Sequence, residues 1–166
     1  MRKPFAAFTL IELAVVMVVM GLLASLTVMS FGGTMDRYRL GKAVEAVERF
    51  DAYIRRESRS SQRSNLAAID RRSGNLSLVS GDQRRTRMFR IPRRVEIVEL
   101  TVIDAGGRRR SPSGVTNFVV TGSGRTPTYA LHLQRGKYHR WLVVLGFSGQ
   151  VVSLENAGEV DALLAT

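Results

Sequence analysis

A single carboxylate stands at the edge of a long apolar segment near the start of the chain. Glu12 lies between Ile11 and Leu13, and residues 13–35 carry no charged side chain. A carboxylate at membrane depth costs a few kcal/mol unless a cation pairs with it. Glu12 therefore indicates either a charge pair whose partner must be found or a solvated group at the level of the headgroups.

Arginine is the second residue type that could do chemistry. The chain has 22 arginines and 3 lysines against 14 acidic residues, which gives a net charge of +11. A surface that binds the phosphates of DNA is one interpretation. A solvated surface, contact with anionic headgroups and pairing with acidic neighbouring subunits are the others. The candidate anion-binding residues stand in pairs and one triplet: Arg84, Arg85, Arg93, Arg94, Arg108, Arg109 and Arg110.

The residue types that most enzymatic sites require are scarce. The chain has no cysteine, which excludes disulfides and a cysteine nucleophile, and its two histidines, His132 and His139, offer too few ligands for a metal. Glu96 and Glu99 differ by three positions, so we expect them on opposite faces of a strand rather than as an acid–base pair. The Gly122-Ser123-Gly124 sequence predicts a turn, because it lacks the spacing of a phosphate loop. We therefore expect no enzymatic activity, no cofactor and no metal.

The element that must position Glu12 is a helix of membrane length. An apolar run of roughly 20 residues matches a hydrocarbon core of about 30 Å. The run is too long for the apolar region of a secretory signal peptide, and Leu22 and Ala24 form a poor cleavage pair. A plain signal anchor remains the alternative. Two basic residues precede the run and four closely follow it, which on the positive-inside rule alone would place the C-terminal side in the cytoplasm.

Residues 7–12 read AFTLIE, after the basic leader MRKPFAA and before the apolar run. This arrangement resembles the class III signal of type IV prepilins and type II secretion pseudopilins. The resemblance implies that a membrane-embedded aspartyl peptidase cuts between Ala7 and Phe8 and methylates the new α-amino group. It also implies that Glu12, the fifth residue after the cut, pairs with the Phe8 amine of a neighbouring subunit inside a bundle of apolar helices. Ala7 stands where the family usually has glycine, and its small side chain should still permit cleavage.

The remaining sequence predicts a helix followed by strands. Apolar residues at three- and four-residue spacing predict that the helix continues over 34–58 and buries one stripe: Leu40, Val44, Val47, Phe50 and Ile54. The polar stretch 57–74 predicts a loop with a short helical piece at Leu66–Ile69. Alternating residues then predict strands at 86–91, 94–103, 115–121, 128–134, 138–145 and 151–154. A phase slip predicts a bulge near Val98-Glu99. We expect residues 105–114 to form an exposed loop and residues 146–149 a hairpin turn.

Together these features predict an α+β protein in which a long N-terminal helix, transmembrane in its first half and amphipathic in its second, packs on an antiparallel sheet. Residues 1–7 would be the leader, 8–33 the transmembrane and assembly helix, and 34–166 a globular domain on the periplasmic or outer side. Asn117-Phe118 before the 122–124 turn, and residues 148–152, are weakly similar to the H-like and T-like minor subunits of the same family.

The resemblance implies a minor pilin-like subunit of a type II secretion pseudopilus, a filament that helps to export folded proteins. It would be a single-pass inner-membrane protein before it enters the filament. Its partners would be other pilin-like subunits, the prepilin peptidase, the membrane and the inner-membrane assembly platform. One alternative is a DNA-binding minor type IV pilin that acts in DNA uptake. Another is a membrane-anchored protein that forms no filament, which would follow if the bond between Ala7 and Phe8 is never cut.

Overall fold

The computed structural model describes residues 9–79, 87–104 and 106–164, and for residues 26–32 it describes the backbone alone. The chain divides into two compact units, an N-terminal unit, Met1–Met35, and a globular unit, Asp36–Thr166. One helix, α1, runs from Leu10 to Ser61 and contributes to both units. The expected cleavage site between Ala7 and Phe8, and the expected anion-binding pair Arg84-Arg85, lie outside the described residues.

The first part of α1 presents apolar side chains on all sides. Every residue from Leu10 to Ser25 is exposed, and Leu10 and Ile11 expose 89% and 76% of their surface. A helix that is apolar around its whole circumference normally lies in a core, in a membrane or against other chains. Among the described residues, no helix is both long enough and apolar enough to cross a membrane. The expected span 8–33 includes Phe8 and the side chains of 26–32, which are outside the description.

The second part of α1 buries one stripe of side chains against the globular unit. The residues of this stripe recur every three or four positions, as one face of a helix requires: Leu40, Ala43, Val47, Phe50 and Ile54. The predicted stripe is confirmed except that Ala43 is fully buried where Val44, only half-buried, was expected. The helix continues to Ser61 and ends before Gln62, whose positive φ of 52° stops it.

Nine strands in the described part of the chain form two antiparallel sheets. Their bounds are β1 Asn65–Asp70, β2 Asn75–Val79, β3 Arg87–Arg90, β4 Glu96–Ile103, β5 Arg109–Arg110, β6 Val115–Val120, β7 Thr128–Arg135, β8 Tyr138–Val144 and β9 Val151–Leu154. The first sheet has the order β3-β2-β1-β6 and the second has the order β5-β4-β7-β8-β9. The predicted strands and the predicted 146–149 turn between β8 and β9 are confirmed.

The main core lies where the second part of α1 meets both sheets. Phe50 and Ile54 of the helix pack in one cluster with inward residues of β1 and β7, among them Ile69, Tyr129 and Leu131, all fully buried. These side chains come from a helix stripe and from alternate strand positions, which are the two periodicities of the sequence. The structure is therefore an α+β fold with a long N-terminal helix, consistent with a pilin-like fold, and the predicted class is confirmed.

The short helix expected at Leu66–Ile69 is wrong, because these residues belong to strand β1 in the middle of the first sheet. Leucine and alanine favour helices, but the burial alternates with a period of two, and Ala67 and Ile69 point into the core. Pairing with β2 on one side and β6 on the other outweighs the local preference. The polar stretch 57–74 is accordingly the helix end, a strand and a turn rather than one loop.

The predicted bulge in β4 is confirmed, since the pairing with β7 shifts its register between Ile97 and Glu99. The bulge overturns the expectation that Glu96 and Glu99 lie on opposite faces. Glu96 faces Gln134 across the sheet and Glu99 faces His132, so both glutamates lie on the outer face of the second sheet. The extra residue shifts the alternation of inward and outward side chains by one position, so two residues that are three apart in the sequence can lie on the same face.

Two further elements differ from the expected pattern. Of the expected loop 105–114, residues 106–111 are exposed, but Arg109 and Arg110 form the edge strand β5 against Val102 and Ile103. A second helix, α2 from Ala157 to Leu164, was not predicted. Its buried Val160 packs on Trp141 and Val143, which covers the outer face of β8 and explains why this strand is buried on both sides.

Candidate functional site

The Thr-Leu-Ile-Glu sequence forms the start of α1. The backbone N–H of Glu12 donates to the Thr9 hydroxyl at 3.3 Å and to the Thr9 carbonyl at 3.1 Å. Serine or threonine followed three positions later by glutamate is the capping-box pattern, in which the hydroxyl satisfies an N–H that the first helical turn leaves free. The motif that carries the family resemblance therefore also fixes where the helix begins.

The carboxylate of Glu12 lies in this first turn and points to no cation of the described residues. Its neighbours Leu10, Ile11 and Leu13 are exposed apolar side chains, so the carboxylate stands in an apolar surface. The N-terminus of a helix carries partial positive charge, which favours a carboxylate at this position. A neighbouring chain that covers this apolar surface would therefore need to bring a cation to Glu12.

A buried arginine on α1 stands at the centre of a polar cluster in the globular unit. Arg55 is only 6% exposed, and its Nε donates to Asp51 at 2.6 Å. The Nη1 and Nη2 atoms donate to the carbonyls of Gly124, Leu145 and Gly146 and to the hydroxyl of Thr126, at 2.6–3.3 Å. A guanidinium has five N–H donors, and each of the five has an acceptor here. Arg55 thus fastens α1 to the loop before β7 and to the turn after β8.

Asp51 completes this cluster from the side of the helix. It is 2% exposed and accepts hydrogen bonds from Arg55 and from the hydroxyl of Tyr129, the latter at 3.1 Å. Burial raises the pKa of Asp51, and the bonds from Arg55 and Tyr129 oppose that rise. Burial, together with the charge of Asp51, raises the pKa of Tyr129 well above its usual value. Because every polar atom of the trio has a partner, the cluster holds the helix in one position over the sheets.

Glycines stand at the close approaches around Arg55. A Cβ on Gly149, whose φ is +74°, would lie 3.1 Å from Nε of Arg55, so this glycine makes room for the guanidinium. Gly124 has a φ of +79°, and a Cβ there would lie 2.8 Å from the side chain of Arg59. A Cβ on Gly146 would overlap the carbonyl of Thr126. Gly124 and Gly146 offer their carbonyls to Arg55. The glycine-rich turns that weakly resemble minor subunits of the pilin family therefore have a local structural role, which is to close around this arginine.

The arginines of the 108–110 triplet are largely matched by carboxylates. Arg109 pairs with Asp161 of α2 at 2.6 Å and Arg110 with Asp104 at 3.2 Å. Arg108 has no ion-pair partner among the residues that the structure describes. Three arginines and two aspartates leave a local net charge of 3 − 2 = +1 at this edge of the second sheet.

The structure does not bring the described arginine candidates together. Arg93 and Arg94 lie in the turn before β4, and the triplet follows the other end of that strand. The eight residues of β4 separate the two groups by roughly 23 Å at about 3.3 Å per residue. The pair and the triplet are therefore not neighbours in the described part of the chain.

The two histidines are neighbours on the outer face of β7 and β8. The rings of His132 and His139 lie 5.8 Å apart, and His132 stacks on Trp141 at 4.4 Å with nearly parallel planes. Burial, with a smaller contribution from His139, lowers the pKa of His132, and Glu99 opposes the shift. A pKa below the usual value favours the neutral ring at pH 7. The described residues contain no group of three side chains able to hold a metal ion.

Sequence reasoning missed the Arg55 cluster although part of its signal is visible. Asp51 follows Val47 by four positions, and Arg55 follows Asp51 by four, so both fall beside the apolar stripe of α1. Their acceptors lie 69–91 residues further along the chain. The spacing alone could indicate an ion pair between Asp51 and Arg55. The remaining partners of Arg55 could be identified only from the order of the strands.

Comparison with known families adds one finding. Residues 2–28 match the prokaryotic N-terminal methylation motif, which is the signal of type IV prepilin-like proteins. Comparison with curated proteins and with solved structures gives no match. The motif implies processing by the prepilin peptidase, membrane anchoring through the N-terminal helix and assembly with other pilin subunits. The chain thus carries the type IV prepilin-like signal, and together with its α+β architecture this motif supports a type IV pilin-like protein.

Proposed function

We propose that the protein is a minor subunit of a type II secretion pseudopilus, a filament that helps to export folded proteins. In this proposal the helix over 8–33 first anchors the chain in the inner membrane, with the globular unit in the periplasm. The observation that carries the proposal is that the methylation motif at residues 2–28 leads directly into α1, whose later turns are the core helix of an α+β unit.

The assembly step follows from the chemistry at the start of the helix. Cleavage after Ala7 would create a cationic α-amino group on Phe8, four residues before Glu12 in the sequence. In a bundle of apolar helices a carboxylate and an amine from neighbouring chains attract strongly, and either one alone is costly. The pair would therefore fix the axial offset between subunits, while the apolar side chains of α1 supply the contact area.

A minor rather than a major position has its support in two sequence features. No proline interrupts residues 8–35, whereas major pilins of the resembling family often carry one there. The turns at 122–124 and 148–152 are similar to those of the H-like and T-like minor subunits. In this chain Gly124 of the first turn accepts a hydrogen bond from Arg55, and Gly149 of the second leaves room for its guanidinium.

DNA binding has weaker support from the geometry. The described pair and the triplet lie at opposite ends of β4, and two of the three arginines in the triplet have carboxylate partners. Each phosphate contact contributes about 0.9 to the salt dependence of DNA affinity. Converting Arg108, Arg109 and Arg110 to glutamine should therefore change that slope by about one or less, where a full DNA-binding triplet would change it by about three.

Deletion of the gene in its native host tests the proposal against this alternative. We expect export of folded proteins to fall to background while DNA uptake stays normal. Reintroducing the chain with the three arginines changed to glutamine should restore export, and the unmodified chain is the matched control. Loss of DNA uptake with normal export would instead support the DNA-uptake pilin. If the deletion leaves export and DNA uptake normal and removes no filament from the cells, the membrane-anchored alternative would be supported.

A further inference from the structure

An apolar groove of about 900 Å³ lies between the two sheets at one end of the globular unit. One wall is strand β6 of the first sheet. The other consists of the end of β4, the loop that enters β7 and the turn after β8. Its apolar lining comes from both sheets and from the turn: Val102, Ile103, Phe118, Pro127 and Phe147. The groove shares Thr126 and Gly146 with the Arg55 cluster, Arg110 with the arginine triplet and none of its lining with the start of α1, so the proposed assembly step does not use it.

Strand β6 presents its free edge to this groove. Among the described strands it pairs only with β1 and stands last in its sheet. The five consecutive residues 115–119 all line the groove. Because successive side chains of a strand point to opposite faces, a groove that contacts all five must run along the backbone edge itself. An edge strand directs the N–H and C=O groups of every second residue away from its sheet. No hydrogen bond from another described element satisfies those groups of β6.

Side chains around the groove are exposed or, in one case, have an unsatisfied hydroxyl. Val115 and Val119 are 59% and 53% exposed, and Phe147 at the far rim is 77% exposed. The hydroxyl of Thr116 is buried and has no hydrogen-bond partner among the described residues. An exposed apolar patch beside free backbone donors and acceptors is the arrangement in which an added strand gains both burial and hydrogen bonds.

The charges at the rim indicate what the added strand carries. The guanidinium of Arg125 lies 4.5 Å from the ring centre of Phe147 and has no ion-pair partner among the described residues. Arg110 pairs with Asp104 on the opposite rim. The groove therefore has one unmatched positive charge, and the chain as a whole has a net charge of +11. A carboxylate on the occupant complements both, whereas a second copy of this strongly basic chain would be repelled.

We propose that this groove binds an extended segment of another protein, which adds as a strand beside β6. The segment has apolar side chains at alternate positions, which enter the groove, and an aspartate or glutamate that reaches Arg125. Main-chain hydrogen bonds to β6 supply affinity, and the alternating side chains supply specificity. The inference holds whether or not the chain assembles into a pseudopilus, because it depends only on the globular unit.

The test selects a displayed library of random eight-residue peptides against the full chain in detergent micelles. We expect the selected peptides to alternate apolar residues and to contain aspartate or glutamate. For one selected peptide, made synthetically, Arg125→Glu and Phe147→Ala should each weaken binding by about tenfold or more. The matched controls Arg90→Glu and Met88→Ala lie on β3, the opposite edge of the same sheet, and should leave binding unchanged.

Hydrogen exchange distinguishes strand addition from simple apolar contact. The bound peptide should slow exchange of the outward amides of β6, and N-methylation of the peptide backbone at alternate residues should abolish binding. The proposal is overturned if no peptide is selected or if the selected peptides are basic. It is equally overturned if the groove variants bind as well as the β3 variants or if β6 gains no protection.

Discussion

Replacing Arg55 with leucine should lower the free energy of unfolding by about 3–5 kcal/mol, the cost of removing one member of a buried ion pair. The change leaves the buried carboxylate of Asp51 without its cation. It also removes the donors for three carbonyls and one hydroxyl in the two loops that Arg55 joins. Each such orphaned group adds a penalty of its own. Urea unfolding of the full chain in detergent micelles, followed through the fluorescence of the single tryptophan, measures the effect.

Neighbouring positions supply the controls for this prediction. Arg56 is the next residue on the same helix and is exposed, so Arg56→Leu should change the free energy of unfolding by about 0.5 kcal/mol or less. Arg55→Lys keeps the charge but has three donors instead of five. Its loss of unfolding free energy should lie between those of Arg55→Leu and Arg56→Leu. Changing Asp51 and Arg55 together to leucine should cost less than the sum of the single changes, because no unpaired charge remains. A loss below about 1 kcal/mol for Arg55→Leu would show that the cluster does not hold the helix to the sheets.

Replacing Glu12 with alanine should abolish filament assembly while leaving cleavage after Ala7 intact. Removing one partner of a buried charge pair costs about 3–5 kcal/mol, which corresponds to a loss of roughly 10²–10³-fold or more in subunit affinity. The helix start should survive, because the bond to the Thr9 hydroxyl comes from the backbone N–H of residue 12 and not from its carboxylate. Electron microscopy of sheared filaments and the size of the processed chain are the two readouts.

Glu48→Ala is the matched control for the assembly variant, since Glu48 is an exposed glutamate on the same helix. We expect normal filaments from this control. Normal filaments from Glu12→Ala would refute the charge pair as the determinant of assembly. Loss of cleavage in Glu12→Ala would show that the carboxylate acts earlier, in recognition by the peptidase.

The spacing of apolar residues predicts those parts of the fold in which the residues that recur with a helix or strand period are also the ones that become buried. The alternation over 128–134 gives strand β7, and the phase slip at Val98-Glu99 gives the bulge that the register shows. The apolar stripe of α1 is visible for the same reason, because one face of the helix is core over four turns. The prediction of a short helix at Leu66–Ile69 is wrong because leucine and alanine carry no strand preference. Only the pairing of residues 65–70 with β2 on one side and β6 on the other makes them a strand.

The candidate sites divide in the same way. The Thr9 and Glu12 pattern is local, so the sequence indicates both the signal and the helix start. A signal for helix α2 was also present, because Asn156 and Glu159 stand at capping positions before Val160. The Arg55 cluster and the groove beside β6 depend on residues far apart in the chain, which strand order alone brings together. The placement of the arginines likewise depends on the strands, because the 93–94 pair precedes β4 and the 108–110 triplet follows it.

Mass spectrometry of the N-terminus of the protein, purified from the envelope of its native host, tests the central claim most directly. A pilin-like subunit should begin at Phe8 and carry a methyl group on its α-amino nitrogen. A chain that begins at Met1, or one cut within or after the apolar run, would contradict the account, because no free amine would then stand on Phe8, four residues before Glu12.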